Sequence, residues 1–189
     1  MARVLNIANL LTGVRLLLVP VLLGFVVAGR HRAALAIFVC AAVTDALDGW
    51  VARHWSQESR FGAYLDPVAD KLLLSGLYAA FGYSGALPLW LVFFVLGRDL
   101  FILSGVGFLA ARGQRQFPPS LWGKLSTFLQ ILLAAAVLLR DAWPHQALSF
   151  LTGGLLVPVA VLTVWSGVHY CWRAWDEGIR RIDEDPYRE

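Results

Sequence analysis

Apolar residues run through this chain in long stretches, with charged and turn-forming residues gathered between them. Six stretches approach the roughly 20 residues a helix needs to cross the hydrocarbon core of a bilayer: about Asn6 to Ala28, Ala33 to His54, Asp66 to Gly85, Leu87 to Ala111, Leu121 to Leu139, and Ala147 to Trp172. The pattern predicts an all-α, polytopic membrane protein with six transmembrane helices. Residues 1–175 form the membrane-embedded domain in this reading, and 176–189 a charged cytoplasmic tail, a solvated helix end followed by disorder. The first stretch is too long for a cleaved signal, contains Arg15, and is followed by no A-x-A-like site.

Composition supports that setting. Hydrophobic residues make up 58% of the 189 and charged ones 15%, with a mean hydropathy of +0.63, which suits an integral membrane protein and leaves no room for a second domain. Arg3, Arg53, Arg60, Arg112, Arg115, Arg173, Arg180, Arg181 and Arg188 lie on the tails and even connections, against Arg30, Arg32 and Arg140 on the odd ones. The positive-inside rule then puts both termini in the cytoplasm; the expected setting is a bacterial inner membrane. A formal charge of +3 suits anionic lipid surfaces. The scattered basic residues and the absence of a binding module exclude nucleic acid as a partner.

Against this background four aspartates stand out: Asp45 and Asp48 in D-A-L-D-G-W-V-A-R, and Asp66 and Asp70 in G-A-Y-L-D-P-V-A-D. A carboxylate inside a membrane costs roughly 2.5 to 3.5 kcal/mol on insertion scales unless something pairs with it. On helices, Asp45, Asp48, Gly49 and Ala52 fall on one face, and Gly62, Asp66 and Asp70 on another. Packing these two helices through those faces would bring four carboxylates together on the side of the connection between spans two and three, the cytoplasmic side. Oxygen-only donors suit Mg²⁺ or Mn²⁺, and a pair of such ions is a standard device for phosphoryl transfer. Gly49, Ala52 and Gly62 bare the helix backbone so that a bulky flat group can lie against it. Pro67 is compatible with a helix start just after Asp66 or with a kink.

Other chemistries find little support. Cys40 and Cys171 fall within spans and read as small buried hydrophobes, and His31, His54, His145 and His169 show no zinc spacing. There is no P-loop, no G-x-S-x-G and no dinucleotide fingerprint. A metal- or proton-coupled transporter would also bury Asp and Arg, but transporter sites tend toward the midplane on broken helices, whereas these aspartates gather at one face.

The register D-x2-D-G-x2-A-R-x8-G-x3-D-x3-D, met here by Asp45, Asp48, Gly49, Ala52, Arg53, Gly62, Asp66 and Asp70, resembles the signature of the CDP-alcohol phosphotransferase (phosphatidyltransferase) family. The N-I-A-N-L-L-T-G-V-R opening, L-D-P-V-A-D-K, a later G-R-D and G-K-L-S-T-F-L-Q resemble its glycerophospholipid branch. The resemblance implies a six-helix enzyme, working as a homodimer, in which an alcohol displaces CMP from a CDP-linked lipid such as CDP-diacylglycerol. It further implies two divalent cations, Mg²⁺ or Mn²⁺, one held by Asp45, Asp48 and Asp66 and the other by Asp45, Asp66 and Asp70. Asp70 would also be the general base, and Gly49, Ala52, Arg53 and Gly62 would shape the nucleotide pocket, with Arg53 on the diphosphate.

The remaining intramembrane charges each admit two roles. Arg15 either snorkels to the interface or meets substrate phosphates. Arg98 either pairs with Asp99 or reaches a phosphate of the acceptor or lipid. Lys124 is a surface anchor or part of an anionic acceptor site with Arg98. Lys71 cannot share the helix face of Asp70 and takes no assigned role. Within the family the acceptors include glycerol 3-phosphate, phosphatidylglycerol, inositol phosphate and serine; G-R-D at Gly97 to Asp99 and K-L-S-T at Lys124 to Thr127 resemble the branch that uses phosphatidylglycerol more than the branch that uses glycerol 3-phosphate, which tends to carry a second lysine where Ser126 stands. The resemblance thus leans toward phosphatidylglycerol as acceptor and cardiolipin as product.

Overall fold

The computed structural model describes residues 7–55, 62–111 and 120–183, with side chains placed over 13–45, 69–105 and 120–173. Six helices account for almost all of this: α1 (Ile7–Val27), α2 (His31–Trp55), α3 (Gly62–Tyr83), α4 (Leu89–Ala111), α5 (Leu121–Ala142) and α6 (Gln146–Asp183). Most boundaries fall close to the apolar stretches, with two exceptions. α3 starts at Gly62, so Pro67 lies within its second turn rather than beside its start, and α6 runs past the expected end at Trp172 to Asp183, so the helix continues into the segment read as a charged tail.

Tight turns join the helices at one end of the bundle. Gly29, at φ +69°, follows α1, and there Arg30 N–H bonds the Phe25 carbonyl at 2.9 Å while Gly29 N–H bonds that of Val26 at 3.1 Å. Gly85, at φ +73°, repeats the arrangement after α3, with Ala86 N–H on Phe81 at 2.9 Å. Both are Schellman closures, which need a residue that adopts the left-handed region without a Cβ clash. At the other end Ser120 caps α5, its hydroxyl accepting from Gly123 N–H at 3.0 Å and satisfying one of the helix's orphan donors.

The helices close into a ring in the order α1, α2, α5, α6, α4, α3, and α3 also touches α5 across the middle. Leu22, Phe38, Leu77, Phe81, Leu91 and Leu133 fill the centre, and the Tyr78 hydroxyl of α3 donates to the Gln130 carbonyl of α5 at 3.1 Å. Within this apolar core several polar side chains are also buried, and many large apolar ones lie on the outer surface. Arg15, Asp99, Ser126, Gln130, Thr163 and Ser166 are buried, while Leu17 (73% exposed), Phe93 (71%) and Phe150 (73%) face outward. Cys40 and Cys171 also face outward, which corrects the expectation that they are buried: apolar side chains lie on the outer surface as well as in the core, so apolar character alone does not place a small residue inside.

Among the described residues two helical segments, Leu121–Ala142 and Gln146–Arg173, are long and apolar enough to cross a membrane, and Gly13–Val27 is a shorter apolar one. In α2, α3 and α4, charged side chains interrupt the apolar sequence.

Candidate active site

α1 approaches its first turn, α2 ends and α3 begins on the side of the bundle away from Gly29 and Gly85. Arg15 stands about 20 Å from Gly29 along α1 at 1.5 Å per residue. Its guanidinium is 1% exposed, so it does not snorkel. One nitrogen lies 2.7 Å from Asp45 Oδ1 of α2, the other 2.9 Å from Asp70 Oδ1 of α3. Guanidinium geometry permits this two-pronged pairing, which the point charge of a lysine does not match.

The two carboxylates therefore converge, though not by the route expected. Among the described residues α2 and α3 do not pack against each other; each packs on α1, and Arg15 links them. A cation between the helices offsets the repulsion that direct packing of two carboxylate faces would create. Both aspartate side chains remain about half exposed, at 53% and 54%, on a cavity of about 360 Å³ whose other walls are largely apolar: Phe38, Leu73, Leu74 and Ile131 among them.

Asp48, Gly49, Ala52, Arg53, Gly62 and Asp66 lie on the helical backbone of α2 and α3, but their side chains fall outside the described residues. By register Asp48 and Asp66 stand about one turn nearer the α2–α3 connection than Asp45 and Asp70. Asp45 and Asp70 are half-exposed hard oxygen donors of the kind that suits a divalent ion of the Mg²⁺ or Mn²⁺ type, though no group of three or more such ligands stands among the described residues.

Lys71 belongs to this site, contrary to the reading that gave it no role. It lines the cavity with Asp70 and its Nζ lies 2.7 Å from Asp99 Oδ1 on α4. The same oxygen takes Arg98 Nη1 at 2.7 Å, and Arg98 Nη2 donates to Ser166 Oγ of α6 at 2.6 Å. Arg98 and Asp99 are thus a buried couple, as one of the two readings had it, with Lys71 as an unforeseen third member. Gly123 leaves room for this guanidinium: a Cβ there would meet Arg98 Nη2 at 3.2 Å and Ser120 Oγ at 3.3 Å. Lys124, the next residue, is exposed in the first turn of α5. Ser126 is buried, sharing hydrogen bonds with Thr163 at 3.4 Å and with Gln130 at 3.4 Å.

Comparison with known proteins bears on this geometry. The family model described as CDP-alcohol phosphatidyltransferase matches residues 5–166. A Mycobacterium tuberculosis protein named "Probable phosphatidylglycerophosphate synthase" is 36% identical over 188 residues, covering 95% of this chain and 88% of that protein. The Bacillus subtilis protein named CDP-diacylglycerol–glycerol-3-phosphate 3-phosphatidyltransferase is 31% identical over 90% of this chain and 96% of its own length. The human cardiolipin synthase (CMP-forming) is 32% identical over 70% of this chain and 50% of its own.

Proposed function

The chain belongs to the CDP-alcohol phosphatidyltransferase family, and from that premise we propose that it moves the phosphatidyl group of CDP-diacylglycerol onto phosphatidylglycerol, releasing CMP and forming cardiolipin. Family membership makes it a transferase of phospholipid synthesis. The observation that carries the finer reading is the convergence of Asp45 and Asp70 on Arg15 at the wall of a largely apolar cavity. Carboxylates suited to phosphoryl chemistry there adjoin a surface suited to lipid.

Asp45, Asp48, Asp66 and Asp70 would hold two divalent cations of the Mg²⁺ or Mn²⁺ type, which would supply positive charge against the diphosphate and the leaving CMP. The protein's own groups do the rest. Asp70 accepts the proton of the acceptor hydroxyl, whose oxygen attacks phosphorus in line as the bond to CMP breaks. Gly49, Ala52 and Gly62 give the nucleotide access to the helix backbone, and Arg53 contacts the diphosphate. No covalent enzyme intermediate is needed.

For the acceptor, the support comes from charge. Lys71 and Arg98 share one carboxylate, Asp99, so the trio carries a net charge of +1, which matches a phosphodiester better than a phosphate dianion. The buried Ser126 adds no cation. Glycerol 3-phosphate is the second reading, favoured by the high two-way coverage of the Mycobacterium and Bacillus relatives and by their names.

The setting we propose is a membrane spanned by all six helices, with the aspartates and both termini on the cytoplasmic side and a homodimer as the working unit. Large apolar side chains on the outer surface and charged ones buried inside, Arg15 and Asp99, support the spanning. The helices whose apolar runs are broken are those carrying Asp45, Asp70, Lys71, Arg98 and Asp99, charges that belong to the site. Purified protein given CDP-diacylglycerol and each acceptor in turn tests the assignment: cardiolipin from phosphatidylglycerol is expected, and phosphatidylglycerophosphate alone, from glycerol 3-phosphate, would reverse it.

A further inference from the structure

We propose that the end of the bundle opposite the aspartates holds the phosphodiester headgroup of an anionic diacyl phospholipid, seated on Arg30 and Arg32. The site rests on the reading that the helices span a membrane. Three arginines gather at or beside the turns on this end, Arg30, Arg32 and Arg140, and one carboxylate stands among them, Asp141 in the last turn of α5. Asp141 is already engaged: its Oδ1 takes Arg140 at 2.8 Å, and Arg140 also donates to the Ala86 carbonyl at 3.2 Å. Arg140 thus ties α5 to the α3–α4 turn and is neutralised in doing so.

Arg30 and Arg32 are held but not neutralised. The Arg30 guanidinium lies over the Phe25 ring at 6.0 Å and that of Arg32 over the Trp143 ring at 5.9 Å. Arg32 Nε also donates to the Ala142 carbonyl at 3.4 Å, one of the carbonyls left without an intrahelical partner at the end of α5. None of these contacts is anionic. Between them lies a cavity of about 440 Å³ lined by Arg30, His31, Arg32, Asp141 and Ala142. His31 Nδ1 is buried there without a hydrogen-bond partner, 3.9 Å from Asp141 Oδ2.

Two guanidinium forks beside an open polar atom call for an anion with several oxygens, and phosphate meets that need. Position selects a lipid as its source. Trp143 is 51% exposed and Val27 50%, so the pocket is bordered by outward apolar surface along which acyl chains can run, with an indole at the level where membrane headgroups begin. A bound headgroup also accounts for cations on the side where the orientation rule expects few.

The test uses the full chain in nanodiscs of phosphatidylcholine mixed with phosphatidylglycerol, followed by native mass spectrometry of the lipids retained. Wild type is expected to hold one more phosphatidylglycerol per chain than R30Q/R32Q, with apparent affinity at least about tenfold tighter. Both substituted residues are exposed, and CMP release by the variant should match wild type. R30K/R32K, with charge but no fork, should fall between them. D45N/D70N separates this lipid from substrate and should retain it. Equal retention by wild type and R30Q/R32Q would overturn the site, as would loss confined to D45N/D70N. Displacement by inorganic phosphate would overturn the lipid as its source. Extraction of the protein from membranes by alkaline carbonate would instead remove the spanning reading, whereas a protein that stays inserted without preferring the anionic lipid removes only this proposal.

Discussion

Arg15 and Asp70 stand 2.9 Å apart across the α1–α3 contact, and the other prong of the same buried guanidinium holds Asp45 at 2.7 Å. One side chain thus joins three helices at the site. Removing it leaves two carboxylates facing each other across a gap. Loss of a fully buried ion-pair partner costs about 3 to 5 kcal/mol, and the half exposure of both aspartates reduces this to about 1 to 2 kcal/mol. Arg15→Ala should therefore lower the unfolding temperature in detergent. Added Mn²⁺ should restore more stability to the variant than it adds to wild type, because the ion enters the same carboxylate pair without a competing guanidinium. Equal metal responses would argue against Asp45 and Asp70 as metal donors.

Chelation should abolish CMP release, and Mg²⁺ or Mn²⁺ should restore it. Full turnover in excess chelator would sink the metal reading without touching the assignment of the family.

Asp70→Asn keeps shape and some donor capacity but cannot take the proton of the acceptor. Binding of CDP-diacylglycerol should survive while turnover falls by at least about 10²-fold. Asp45→Asn should weaken metal and nucleotide-lipid binding together. Near wild-type turnover by the Asp70 variant would place the base elsewhere.

Asp99→Asn removes the carboxylate that Lys71 and Arg98 share. Two cations would then lie close together with reduced compensation. Arg98 is buried and Lys71 partly exposed, so the expected loss is about 2 to 4 kcal/mol, read as a lowered unfolding temperature. A variant as stable as wild type would mean that other groups hold both cations.

Much of this arrangement can be read from the turns once they are placed. Lys71 and Asp99 each stand fourteen residues from Gly85, and Arg15 and Asp45 stand fourteen and sixteen from Gly29. Antiparallel helices joined at those glycines bring such pairs level. Helix number and most boundaries follow from the apolar stretches for a related reason, since each tight turn interrupts them. The ring order is another matter. Side chains on the outer surface and side chains that face a neighbouring helix are both largely apolar, so the sequence pattern does not tell that α1 separates α2 from α3, or that Cys40 and Cys171 face out.

The last prediction concerns Arg98, whose place depends on the absence of a side chain at Gly123. A Cβ there would lie 3.2 Å from Arg98 Nη2, closer than ordinary van der Waals contact, and 3.3 Å from Ser120 Oγ. Gly123→Ala should push the guanidinium aside, and Arg98→Ala should remove it. If Arg98 faces the acceptor's phosphodiester, both changes raise the apparent KM for phosphatidylglycerol more than that for CDP-diacylglycerol. The loss from Arg98→Ala should be about tenfold or more, the scale of one charge-assisted hydrogen bond. Arg98→Lys should recover part of it, since a lysine keeps the charge but not the fork. A change confined to stability, with both KM values unmoved, would reduce Arg98 to the structural partner of Asp99 and Ser166.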